Sequence, residues 1–237
     1  MTTTGSFPRL HSKGKEYCAK LARLIADGGT EALRKVFNQF HPPGMITSNL
    51  KSQQRLLQNL STRGVITKHQ WDVLFPPGGE PASSRRFGIK LLTVLIQNVC
   101  GVASPVRGWG NKPRKNDSSK QANIVRVTYF FSDIYEHASS RDIDVFHYFD
   151  YWNKIARTLL SLGISTNEVE YLQNAPIDTD KYLQVLFNWV VLGQEPCVQE
   201  TSKDLIEKRQ IPIQDKLLGS IFQKQERVAN REKVCLT

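Results

Sequence analysis

Ile124-Val125-Arg126-Val127-Thr128-Tyr129-Phe130-Phe131-Ser132-Asp133-Ile134-Tyr135-Glu136-His137 is the stretch whose reading decides the fold. It holds no proline or glycine. Ile124, Val127, Phe131 and Ile134 recur at helical spacing, with Tyr135 beside the last, so the pattern predicts a helix over Ala122 to Ala138 with that face inward. On its N-terminal side lies a loop rich in Gly, Pro, Lys and Arg, Gly101 to Lys120. Before the loop comes the most apolar segment of the chain, Phe87 to Val99, read as a central core helix. On the other side, Ser139 to Asp144 offers several N-cap residues. A long helix then carries Phe146, Phe149, Trp152, Ala156, Leu159 and Leu160 and stops at Gly163. Shorter helices follow from Ser165 to Tyr171 and from Tyr182 to Leu192.

Further out the same period holds. Tyr17, Leu21, Leu24 and Ile25 predict one helix. Asp27-Gly28-Gly29-Thr30 is expected to break it, with Thr30 capping the next, which carries Glu31, Leu33, Val36, Phe37 and Phe40. His41-Pro42-Pro43-Gly44 ends that one. A helix near Leu50 to Leu60 and a short one with Trp71, Leu74 and Phe75 precede the clearest linker, Pro76-Pro77-Gly78-Gly79-Glu80-Pro81. The expectation is therefore an all-α chain. Residues 1–14 are a flexible arm. Residues 15–192 are a helical domain, with N-terminal helices over 15–80 and a bundle core over 85–192. Residues 193–237 are a charged tail, partly helical through Leu217, Leu218, Ile221 and Phe222.

The 237 residues are 40% hydrophobic and 23% charged, which excludes gross disorder. Four cysteines in this length are no disulfide framework, and Cys18, Cys100, Cys197 and Cys235 are too dispersed for zinc. The longest apolar run, Ile89 to Cys100, contains Lys90, Gln97 and Asn98 and is too short to cross a bilayer. Nothing at the N-terminus has the apolar core of a signal peptide, so the expectation is a cytoplasmic protein with no membrane contact. The net charge of +10 leans toward an anionic partner.

The quoted helix resembles the signature helix of the HEPN superfamily (higher eukaryotes and prokaryotes nucleotide-binding). The likeness is to the branch found in the RING ubiquitin ligase DAZ-interacting zinc finger protein 3. That branch reads Ile-x-Arg-Ile-x-Tyr-Tyr-Arg-Asn-x-Ile-Tyr-Gly-His. In the same order, Leu21 to Phe37, His41-Pro42-Pro43, Gln70-Trp71-Asp72, Leu74-Phe75-Pro76, Leu91 to Cys100, Gly108-Trp109, Phe149 with Trp152, Asn174-Ala175-Pro176 and Tyr182 to Leu186 also fit. The resemblance implies an antiparallel helical bundle of HEPN type, with added N-terminal helices and a helical C-terminal extension. It also implies a homodimer through that bundle. Many members are metal-independent ribonucleases, in which an Arg and a His six residues apart act on RNA.

Here the histidine is His137, but Phe131 stands at the arginine position, Ser132 at the following Asn and Glu136 at the Gly. Phenylalanine donates no hydrogen bond to a phosphorane. Arg126, eleven residues before His137, and Arg141, four after, do not match the motif. The resemblance thus implies a domain that does not cleave and acts as an RNA-binding or protein-interaction module, in innate defence or signalling. The alternative is a metal-independent ribonuclease with a degenerate site. His137 has a plain structural reading as a helix C-terminal residue near the dipole's negative end. The candidate RNA-binding residues are Arg107, Lys112, Arg114, Lys115 and Lys120 around Trp109; alternatively Trp109 tucks onto the bundle. Asp142 and Asp144 before His147 read as N-cap chemistry rather than a metal site, and no cofactor is expected.

Overall fold

Ser12 to Phe40 wind as one continuous helical rod. It consists of α1 (Ser12–Arg23), a π-helical turn (Leu24–Gly29) and α2 (Thr30–Phe40). This corrects the expected break at Asp27-Gly28-Gly29-Thr30. Gly29 has φ −64 and Thr30 φ −62, both helical, and the Thr30 hydroxyl donates back to the Ala26 carbonyl instead of capping a new start. The glycines are there for closeness. A Cβ on Gly28 would stand 2.8 Å from Leu159 Cδ1, and one on Gly29 2.9 Å from Val127 Cγ1. Leu159 and Val127, from two different helices, press against this bare strip.

The computed structural model describes residues 12–140 and 143–193, all within one compact unit. Of the expected arm, residues 1–11 lie outside the described residues, while Ser12, Lys13 and Gly14 already belong to α1. The expected tail helix, with Cys197 and Cys235, also lies outside them, as do Arg141 and Asp142.

After α2 comes a single 3-10 turn, Pro43–Met45. The helix expected near Leu50 to Leu60 is two: α3 (Ile46–Ser52) and α4 (Gln54–Thr62), separated at Gln53. Then α5 (Lys68–Leu74) opens on a capping box in which Thr67 and Gln70 satisfy each other's backbone N–H groups. Past the Pro/Gly linker, a 3-10 turn (Ser84–Arg86) docks on α2, where Arg34 Nε donates to the Ser84 carbonyl at 2.9 Å. Phe87 then meets Phe37 edge-on, ring centroids 5.8 Å apart.

The remaining helices are α6 (Ile89–Asn98), α7 (Lys120–Ser140), α8 (Val145–Ser161), α9 (Thr166–Asn174) and α10 (Thr179–Val190). No strand occurs among the described residues. Asp144, Ser165 and Asp178 accept from the backbone N–H three residues on and so start α8, α9 and α10. Gly163, with φ +98, permits the reversal after α8. α1 packs on α10 and α8, α2 on α6, and α7 on α8 and α10. Leu95 is fully buried and Trp152 nearly so, placing both in the one core. Phe146 and Leu160 do not join them; they face solvent on α8.

Candidate nucleic-acid interface

The signature helix α7 presents three faces. Ile124, Val127, Phe131 and Ile134 are completely buried, as their spacing predicts. Phe131, at the position where the motif carries arginine, stacks on Trp189 of α10 with centroids 4.7 Å apart and planes at 27°. That site therefore holds a pair of aromatic rings. Ser132 is half-buried beside it, and Tyr135 packs its ring against the core.

The second face ends at His137, in the last turn of α7. Its ring lies 4.4 Å from that of His147 and 5.7 Å from that of Tyr151, both on α8. Asp144 accepts from the His147 backbone N–H at 2.9 Å and lies 2.8 Å from its Nδ1. The His147 amide holds the Asp144 carboxyl below the usual range. Burial raises Tyr151, and Asp133, Asp150 and Glu136 raise it further. Lys154 lies over the Tyr151 ring and pairs with Asp150, while Asp133 pairs with Lys112. The histidine end of α7 is thus ringed by carboxylates. Among the described residues, a phosphate entering it would meet these carboxylates and the Lys154 ammonium. Among the described residues no group of three His, Cys, Asp or Glu side chains is arranged to hold a metal ion. Cys18 and Cys100 are buried, and burial pushes the Cys100 thiol up to about 12.

The third face carries the basic loop between α6 and α7. Four polar residues spaced three or four apart along α7 fasten it. Asn123 Nδ2 donates to the Ser118 carbonyl, Arg126 to the Arg114 carbonyl at 2.6 Å, and the Tyr129 hydroxyl to the Gly110 carbonyl at 3.0 Å; Asp133 pairs with Lys112. Burial lowers the Arg126 pKa, opposed by the nearby Asp117 carboxylate. Within the loop, Arg107 Nη1 donates to the Lys112 carbonyl at 3.1 Å and Asn111 to the Arg107 carbonyl at 2.8 Å. Lys120 reaches the Gln39 side chain at 2.8 Å. Arg107, Lys112, Arg114, Lys115 and Lys120 are all exposed, while Trp109 is half-buried against the core.

The structure thus carries four of the five cations on the loop and Lys120 at the first residue of α7, and it ties Lys112 to Asp133, one of the carboxylates acting on Tyr151. Sequence reasoning missed the fasteners. Asn123, Arg126, Tyr129 and Asp133 form a polar stripe at helical spacing, and that stripe was the available signal.

Residues 43–184 match the model of the DZIP3/hRUL138-like HEPN family. The E3 ubiquitin-protein ligase DZIP3 of Homo sapiens is 25% identical over 166 residues, which cover 68% of this chain and 14% of that protein. The E3 ubiquitin-protein ligase DZIP3 of Mus musculus is likewise 25% identical over 166 residues, with the same 68% and 14% coverage. The chain thus spans a small part of the length of the curated relatives it matches. No solved structure matches it. No described helix is long and apolar enough to cross a membrane.

Proposed function

This chain belongs to the DZIP3/hRUL138-like HEPN family, and from that premise we propose that it is a non-catalytic HEPN-type domain that binds RNA through the loop from Arg107 to Lys120. The observation that carries the reading is the exposure of Arg107, Arg114 and Lys115 on a loop whose backbone is fastened to α7. Cations held on an ordered backbone neutralise phosphates at a small ordering cost. The absence of cleavage rests on Phe131. Buried under Trp189, it supplies no donor to a pentavalent phosphorus, and the carboxylates near His137 disfavour a phosphate there.

The test uses the purified chain and labelled RNA at graded salt. Binding should weaken steeply with salt, and Arg114→Ala with Lys115→Ala should flatten the log–log slope by about 0.7–0.9 per lost contact. No binding at low salt, or binding indifferent to the double variant, overturns the reading and leaves a protein-interaction role in its place. Incubation without metal should leave the RNA intact. Product with a 2′,3′-cyclic phosphate end, lost in His137→Ala, would establish the ribonuclease alternative.

A further inference from the structure

Two chemistries hold RNA: unpaired bases stacking on open aromatic faces, and cations meeting the phosphates of a regular double helix. The first needs rings open to solvent among the cations. Trp109 lies half-buried against the core. Tyr129, on the stretch of α7 beneath the loop, is half-buried with its hydroxyl committed to the Gly110 carbonyl. The most open apolar side chain of the loop is Val106, 85% exposed, which has no π face. Phe146 is 64% exposed, but it sits two residues from Asp144 at the carboxylate end. Phe40, 46% exposed, follows Gln39, whose side chain Lys120 reaches from the start of α7.

The second chemistry fits what the loop presents. Its fasteners run from Asn123 to Asp133, a span of about 15 Å at 1.5 Å per residue. Arg107, Arg114 and Lys115 project from a backbone already fixed before any ligand arrives. A fixed array of cations suits a ligand whose phosphates are themselves fixed, and duplex RNA is read mainly by shape and backbone. We propose that the loop recognises the phosphate backbone of double-helical RNA and does not read unpaired bases. This rests on the RNA-binding reading above.

The experiment compares a labelled RNA duplex of about 20 base pairs with an unstructured single strand of the same length, each titrated with the full chain at several salt concentrations. The duplex should bind at least about fivefold more tightly at each salt, with a log–log slope of about −3 for three phosphate contacts. Arg114→Ala with Lys115→Ala should remove most of that slope while the thermal melt stays unchanged. Phe40→Ala should leave both affinities unaltered. Equal or tighter binding of the single strand, or its loss in Phe40→Ala, overturns the duplex assignment and leaves RNA binding standing. Binding of neither RNA overturns the RNA-binding reading itself, and the duplex assignment with it.

Discussion

A phenyl ring at position 131 shows how one residue fixes what a helix can do. Phe131 has no exposed surface and lies face to face with Trp189. Restoring the motif by Phe131→Arg would place a guanidinium in the core without a counterion, at a cost of about 3–5 kcal/mol. We expect a clear drop in the urea midpoint and no RNA cleavage; an unchanged midpoint would mean the side chain can turn out to solvent. Asp27 poses the opposite case, a carboxylate already inside. The Tyr182 hydroxyl donates to it at 2.6 Å, yet burial holds its pKa above the usual range, against the lowering effects of Tyr182, Lys181 and Arg23. A raised carboxyl pKa means the folded chain binds the proton more tightly than the unfolded chain. Stability is then fully present below about pH 3.9 and falls as pH rises through the folded value. Asp27→Asn keeps the acceptor and removes the titration. Its melting temperature should exceed that of the parent at neutral pH, and the gain should vanish in acid. A gain that persists in acid would assign the effect to packing.

Among the elements, the rod from Ser12 to Phe40 is where sequence and structure part. Gly-Gly after an Asp is a turn signal when local propensity decides. Here tertiary contact decides, because Leu159 and Val127 need the space that two Cβ atoms would fill. Two opposing effects meet in Gly→Ala at these sites. Helix propensity favours Ala by about 0.5–1 kcal/mol, and overpacking costs about 1–3 kcal/mol. Leu159 Cδ1 ends a side chain that can shift, whereas Val127 is stiff at χ1. Gly29→Ala should therefore destabilise by about 1–2 kcal/mol in a denaturant melt, and Gly28→Ala by less. If Gly29→Ala stabilises, the close approach to Val127 is wrong. The helices with continuous apolar periods and clear stops, α6, α7 and α8, were legible within two residues of their ends. The division at Gln53 was not, because nothing in Leu50 to Leu60 breaks the helical period.

At the scale of the whole molecule, the family match begins at residue 43, yet the core does not. Leu21, Leu24, Ile25, Leu33, Val36 and Phe37 all lie before it and are completely buried. A fragment of residues 43–193 would lose those side chains and expose the strips of α8 and α10 that α1 covers. We expect it to lack a cooperative thermal transition, which circular dichroism would reveal; a sharp melt would show that the matched segment folds alone. The placement of the site was half legible. The five cations cluster in sequence, so their common stretch could be read directly. That the loop lies along α7, and that carboxylates gather at the histidine end, depends on contacts between residues up to 21 apart. Hydrophobic period carries no trace of those.

The π-helical turn at Leu24–Gly29 has a consequence for how this chain tolerates insertion and loss. Such a turn holds one residue more than the α-helix around it would need. It works as a dial between α1 and α2, setting which side of each faces the bundle. Deleting a single residue here would let the segment wind as plain α-helix and leave the faces beyond it in place, whereas a deletion at the start of α2, where no extra residue is held, would rotate everything beyond it by about 100°. Leu33, Val36 and Phe37 would swing away from α6, and Arg34 would leave the Ser84 carbonyl. The same deletion in the Pro76 to Pro81 linker would change only slack. Within one chain, tolerance to a lost residue is therefore set by whether rotation is transmitted onward, and in this rod the π turn is where one residue can go without it.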